Sequence, residues 1–170
     1  WKVVQLSPVI CTDNLRAQPM PAARLAHNLP NGADGLFAVA PMMDYTNRFL
    51  RFLLRRLSTR ATLYTEMVTA NTLVNCDERE LPRFLERELG DHPTVLQIGG
   101  SDPSVLKRAA ARAAPWGYDA INLNCGCPSD RVAGAGCFGA ALMREPELVA
   151  RCCTELASGA PDVPVSVKIR

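Results

Sequence analysis

Five short runs, at residues 36–40, 61–65, 94–98, 120–124 and 164–169, are mostly apolar, and each is separated from the next by a stretch of helical character. Strands apolar along their whole length, rather than at every second position, are covered on both faces. That is the habit of a parallel sheet with helices packed against it. The intervening segments read accordingly. Thr46 can cap a helix whose apolar residues Phe49, Phe52, Leu53 and Leu57 fall at helical spacing. Residues 68–74 read as a second helix, and the charged stretch 76–91 as helical around 80–89. Asp102-Pro103 opens a further helix, with Asp as N-cap and Pro in the first turn, which runs to about residue 114. A loop of about 20 residues follows the fourth strand before Pro146 starts the last helix, to about residue 158.

Two architectures satisfy this order: a doubly wound sheet and a (β/α)8 barrel. A nucleotide-binding doubly wound sheet carries a glycine-rich turn after its first strand. Here that turn is Ala40-Pro41-Met42-Met43-Asp44, without the glycines. Unusual residues stand instead at the carboxyl end of every strand: Pro41 to Asp44, Glu66, Gln97, Asn124 to Cys127, and Lys168. In a parallel barrel those ends share one rim, where such folds keep their active sites. A complete barrel has eight strands in about 250 residues. The expected fold is therefore an α/β TIM (β/α)8 barrel truncated to about its first five strands, occupying residues 35–170. Residues 1–34, punctuated by Pro19, Pro21, Pro30, Asn31 and Gly32, are expected to be a poorly ordered extension. An organellar transit remnant is the alternative, weakened by Asp13 and Asp34. A start at Trp1 and an end directly after a strand-like run suggest the N-terminal part of a longer protein.

Composition narrows the class without deciding it. Apolar content is 48% and charged content 21%, ordinary for a globular domain. A net charge of +2 neither demands nor excludes a nucleic-acid partner. No apolar run approaches the roughly 18–20 residues of a membrane span. Seven cysteines, with Cys152 and Cys153 adjacent in a helix-like segment, fit a reducing compartment better than a disulfide scaffold.

Several of the rim residues could carry chemistry. Pro41 stops ladder pairing, and Met42 and Met43 offer a polarizable apolar surface, or simply core packing before a turn. Glu66 is either an exposed carboxylate at a helix start or, if buried at the rim, a positioning group. Gln97 interrupts an apolar strand, and a buried amide must find partners. A structural hydrogen bond or the edge of a heteroaromatic ring would serve. The same holds for Asn122 and Asn124, which share one face of the fourth strand. Cys125-Gly126-Cys127-Pro128 lacks the further ligands of a zinc site and the C-x-x-C spacing of a redox pair. It leaves Cys127 as a single reactive acid or nucleophile, or an inert buried thiol. Arg131 and the glycines from Gly134 to Gly139 form either a flexible loop beside that thiol or an ordinary surface loop. Lys168, at the end of an apolar strand, is either a chance placement or a cation set against an electron-rich ligand.

Six motifs, in order, resemble those of the tRNA-dihydrouridine synthases. They are Ala40-Pro41-Met42-Met43-Asp44-Tyr45-Thr46-Asn47-Arg48, Leu63-Tyr64-Thr65-Glu66-Met67, Leu96-Gln97-Ile98-Gly99-Gly100-Ser101-Asp102-Pro103, Asn122-Leu123-Asn124-Cys125-Gly126-Cys127-Pro128-Ser129, Phe138-Gly139-Ala140-Ala141-Leu142-Met143 and Val165-Ser166-Val167-Lys168-Ile169-Arg170. The similarity is greatest to the bacterial A-type branch and covers about residues 36–170. The resemblance implies an FMN-dependent, NADPH-linked barrel enzyme reducing uridine to dihydrouridine in the D-loop of tRNA. It implies that Pro41, Met42 and Met43 lie along the flavin ring, that Gln97 and Lys168 bond its polar edge, that Asn124 holds the flipped-out uracil, and that Cys127 donates a proton to C5.

That chemistry agrees with the residues. A developing enolate-like charge needs a nearby acid, and a thiol provides one without the standing charge of a carboxylate. A flipped base needs a hydrogen-bonding pocket, and a cation steadies reduced flavin. The family's histidine and phosphate grip for FMN, and its C-terminal helical domain, have no counterpart here, and His27 and His92 match neither role. The isolated chain is therefore expected to bind FMN poorly and to be inactive. No metal, no membrane attachment, a monomeric state and a cytoplasmic location (organellar if 1–34 is a transit remnant) complete the expectation. Another FMN-dependent barrel oxidoreductase acting on a free pyrimidine, or a noncatalytic RNA-binding fragment, are the alternatives.

Overall fold

The computed structural model describes residues 3–4, 37–128 and 138–170. Six strands and five α-helices are present among them. The strands are β1 (Val3–Val4), β2 (Ala38–Val39), β3 (Thr62–Thr69), β4 (Thr94–Gly99), β5 (Ala120–Cys125) and β6 (Val165–Ile169). The helices are α1 (Arg48–Leu57), α2 (Ala70–Asn75), α3 (Leu81–Leu85), α4 (Pro103–Ala113) and α5 (Pro146–Gly159), with short 3-10 turns at Ala114–Trp116 and Gly139–Arg144. Strands β2 to β6 are parallel and lie side by side in chain order, and β1 runs antiparallel along the outer edge of β6. The five parallel strands curl into half of a barrel with helices between them, as the alternation of apolar runs and helical stretches requires. The expected extension 1–34 lies outside the described residues apart from Val3–Val4.

The two faces of the sheet differ. Leu96, Ile98, Ile121, Leu123, Cys125 and Val167 face the helices and share one core with Leu73, Leu85, Leu106, Ala109, Ala110 and Leu156. Each fully buried leucine or isoleucine there contributes about 1.5–3 kcal/mol relative to an exposed one. Helices α4 and α5 approach closely because Gly159 has no side chain: a Cβ there would stand 2.2 Å from the carbonyl oxygen of Lys107. On the concave face, Tyr64, Val95 and Ala120 form a small apolar floor. Two residues further along β4 and β5, that face turns polar.

Four local expectations need correction. The N-cap of α1 is Asn47, whose side chain accepts from the amides of Phe49 and Leu50. Thr46 is fully buried, and its hydroxyl is spent closing the preceding turn. The apolar residues of α1 are not its buried face. Phe49, Phe52, Leu53 and Leu57 are exposed, and the buried residue is Arg51, which donates to Asp91 at 3.1 Å and to the Thr46 carbonyl at 2.8 Å. Strand β3 runs on to Thr69, so the second helix starts at Ala70, with Thr69 accepting from the Thr72 amide at its N-terminus. The third helix is only five residues long: after Leu85, Glu86 turns extended at φ −64°, ψ 137°, and no apolar stripe beyond Leu85 holds the charged residues in a helix.

Among the described residues no helix is long and apolar enough to cross a membrane.

Candidate active site

The carboxyl ends of β2 to β6 meet on one rim. After β2, the chain turns through Pro41 to Tyr45, and a threonine clamp holds the turn. Thr46 Oγ1 accepts from the Met42 amide at 3.0 Å and donates to the Met42 carbonyl at 3.1 Å, while the amide of Thr46 itself reaches that carbonyl at 3.0 Å. Asp44 sits in the left-handed region at φ 65°, uncommon for a residue with a side chain. Its amide is taken by Glu66 Oε1 at 2.7 Å. Glu66 stands inside β3, half-buried, where the register with β4 slips between Tyr64 and Met67. It is thus neither at a helix start nor fully exposed; it ties the β2 turn to its neighbour strand. Clamped in this way, the turn leaves Met42 and Met43 43% and 54% exposed at the rim.

The centre of the rim is a row of buried amides on neighbouring strands. Gln97 on β4 stands opposite Asn122 on β5, and Asn122 opposite Ser166 on β6. Gln97 Nε2 donates to Asn122 Oδ1 at 2.8 Å, and Asn122 Nδ2 donates to Ser166 Oγ at 3.0 Å. One step nearer the rim, Asn124 Nδ2 donates to Gln97 Oε1 at 3.0 Å. Asn124 Oδ1 accepts from the backbone amides of Gly126 at 3.1 Å and Cys127 at 3.0 Å. An amide oxygen has two lone pairs, and both are now used. What Asn124 still offers a ligand is one N–H. Gln97 likewise keeps one N–H and one lone pair.

Cys127 follows directly, half-buried, with its amide on Asn124 and its carbonyl accepting from Ala140 at 2.9 Å. Gly126 lies against the end of β6, where a Cβ would stand 3.0 Å from the Arg170 nitrogen and the Ile169 carbonyl carbon. Any other residue would require β6 to give way by a few tenths of an ångström. Lys168 stands opposite Asn124 in the β5–β6 register and is 8% exposed. Burial holds its ammonium below the ordinary lysine range; the Cys127 thiol acts the other way, and Arg170 adds to the lowering. Burial pushes Cys125 up to about 12, Cys152 to about 11 and Cys153 to about 12. They remain protonated packing residues.

The structure thus brings Gln97, Asn124, Cys127 and Lys168 together on the adjacent ends of β4, β5 and β6, with Met42 and Met43 further along the same rim, after β2. Arg131 and residues 134–137 of the glycine-rich loop lie outside the described residues. One contributor is not legible from sequence and another has a different role from the one its sequence suggests. Ser166 receives the end of the amide row, and its signal was a polar residue two positions before Lys168, hence on the same face of the strand. Thr46 reads as the helix cap in sequence, but Asn47 beside it is as good a capping type.

A parallel half-barrel with amides, a thiol and a lysine gathered at the carboxyl ends of its strands is the arrangement of the α/β-barrel enzymes. Residues 38–170 match the family model described as Dihydrouridine synthase (Dus). The chain is 54% identical over 139 residues to a tRNA-dihydrouridine(20/20a) synthase of Xanthomonas campestris pv. campestris, a match covering 81% of this chain and 40% of that protein. It is 51% identical to a synthase of the same name from Xylella fastidiosa, over 81% of this chain and 40% of the relative. A Synechocystis relative of that name is 48% identical over 78% of this chain and 38% of its own length. The chain belongs to the dihydrouridine synthase family. It spans about 40% of the length of these relatives.

Proposed function

We propose that this chain supplies the catalytic rim of an FMN-dependent tRNA-dihydrouridine synthase that reduces uridine to 5,6-dihydrouridine in the tRNA D-loop, with NADPH as reductant. The observation that carries this reading is the continuous hydrogen-bonded path from Gln97 through Asn124 to the backbone of Cys127, with Lys168 opposite Asn124.

The donor set suits a flavin. Met42 and Met43 present an apolar surface at the rim for a ring to lie on, with Pro41 ending the strand beneath them. Gln97 retains an N–H and a lone pair for the ring's polar edge, and Lys168 is a largely buried cation beside it. When bound, FMN supplies the hydride equivalent, which NADPH renews.

This chain's own residues do the rest. Saturating the C5=C6 bond of uracil requires a proton at C5, and the Cys127 thiol is the acid that holds it at the rim. Its position is set by the two bonds that pin its amide and its carbonyl. Asn124, with its oxygen committed, meets the flipped base as a donor and therefore addresses a uracil carbonyl rather than the N3–H. Lys168 offsets negative charge that develops beside it.

The test is an assay of the full-length enzyme that carries this chain, on unmodified tRNA with FMN and NADPH, with dihydrouridine measured by mass spectrometry of the digested RNA. Cys127→Ala is expected to lower turnover by about 100-fold or more, the usual scale of a lost proton donor, and to leave tRNA binding unchanged. Wild-type turnover in Cys127→Ala, or reduction of free pyrimidines in preference to tRNA, would sink the assignment.

A further inference from the structure

Every hydrogen bond in the amide row runs in one direction. The backbone amides of Gly126 and Cys127 donate to Asn124, Asn124 donates to Gln97, Gln97 donates to Asn122, and Asn122 donates to Ser166. The Ser166 hydroxyl closes the row on the Ile121 carbonyl at 3.5 Å. The direction follows from the ends. Two backbone N–H groups can meet only an oxygen, so Asn124 must present Oδ1 to them and Nδ2 to Gln97. Gln97 must then present Oε1 to Asn124 and Nε2 to Asn122. Asn122 must present Oδ1 to Gln97 and Nδ2 to Ser166, whose hydroxyl accepts it. Flipping any one amide sets donor against donor: Asn124 against the backbone N–H groups, Gln97 against Asn124, or Asn122 against Gln97. Asn122 is fully buried and Ser166 is 6% exposed, so neither can be repaired by water.

We propose that Asn122 and Ser166, which lie below the rim, are positioning residues: Ser166 holds Asn122 and Asn122 holds Gln97, and together they fix where the Gln97 and Asn124 amides stand and, through them, the backbone at Cys127. This rests on the reading of Gln97 and Asn124 as the flavin- and uracil-facing groups only for its functional consequence; the coupling itself is a property of the chain. Buried polar chains of this kind strengthen one another along their length, so a break at one end is felt at the other.

The variants are Ser166→Ala, Ser166→Thr and Asn122→Leu. Two quantities are measured: hydrogen exchange of the Gly126 and Cys127 amides, with Val95 and Ile98 of β4 as references, and the dissociation constant for FMN. Ser166→Ala and Asn122→Leu are expected to speed exchange at Gly126 and Cys127 by about fivefold relative to the references, as for one ordinary hydrogen bond lost. They are expected to weaken FMN by a similar factor, and Ser166→Thr, which keeps the hydroxyl, is expected to restore both. Exchange at Gly126 and Cys127 that is unchanged, or that rises only in step with Val95 and Ile98, overturns the coupling whatever FMN does. Both quantities are read in the full-length enzyme that carries this chain; if that wild-type enzyme takes up no FMN, the cofactor reading is overturned instead and the coupling is decided by exchange alone.

Discussion

Glu66 Oε1 takes the backbone N–H of Asp44 at 2.7 Å, joining two residues 22 positions apart. The bond stabilises a turn that Asp44 must enter at positive φ, and it sets where Met42 and Met43 stand. Glu66→Ala is expected to cost about 1 kcal/mol of folding stability and to weaken FMN binding severalfold, because the turn loses its outside anchor. Glu66→Gln keeps an acceptor oxygen and is expected to lose less of both. Chemical denaturation and flavin fluorescence titration measure the two effects, and equal behaviour of the Ala and Gln variants would remove this role.

The passage of Gly126 against β6 makes a second, sharper demand. Gly126→Ala places a methyl group 3.0 Å from backbone atoms of Ile169 and Arg170 that cannot rotate away. A loss of about 1–3 kcal/mol is expected, typical of overpacking, together with displacement of Cys127. Thermal unfolding reads the first, and the rate of alkylation at Cys127 reads the second. A variant of native stability and unaltered alkylation would show that β6 yields there.

The buried thiols give a pH dependence whose sign can be worked out. Burial raises Cys125 to about 12 from an ordinary value of 9.0, so above pH 9 the unfolded chain releases a proton that the folded chain keeps. Folding stability contributed by this group is complete below pH 9 and falls as pH rises from there towards 12, with a slope on the order of 1 kcal/mol per pH unit. Denaturation midpoints measured between pH 8 and 10.5 should decline, and Cys125→Ser should make the decline shallower while Cys152 and Cys153 keep their share of it. An identical slope in that variant would exclude Cys125 as its source.

Lys168 titrates in the opposite sense. Its burial lowers the pH at which its charge is lost to below the ordinary lysine value of 10.5. The unfolded state therefore binds the proton more tightly, and this group's contribution to stability grows as pH rises through the folded value. Binding of an anionic or electron-rich ligand should weaken over the same interval, since the cation is being lost. FMN affinity followed from pH 7 to 10 should fall in the wild type and stay level in Lys168→Met; parallel curves would dissociate Lys168 from the ligand.

Much of this was legible in the residues before any coordinates. Parallel strands buried on both sides announce themselves by continuous apolar runs, and five such runs returned as β2 to β6. Asp102-Pro103 marked the start of α4 because capping is a local matter, settled by one side chain and two amides. The α1 error was of another kind. Periodicity locates an apolar stripe but does not say what covers it; Phe49, Phe52, Leu53 and Leu57 remain exposed, whereas Arg51 is drawn inwards by Asp91, 40 residues away. Thr46 shows the same limit at shorter range: two adjacent capping residues cannot be ranked without knowing which one the preceding turn requires. At the rim, Gln97, Asn124, Cys127 and Lys168 stood out as polar residues ending apolar strands. Ser166 did not, because a serine in a strand carries no cost that attracts notice until its partner is known.

The one-way order of the amide row has a consequence for how these positions can vary. No single amide in it can be inverted or replaced by an acceptor-only or donor-only group without making its neighbour wrong. Substitutions at residues 97, 122, 124 and 166 should therefore be strongly non-additive, each tolerated or not according to what occupies the others. Four positions spread over three strands and 70 residues of chain behave, for the purpose of inheritance, as one.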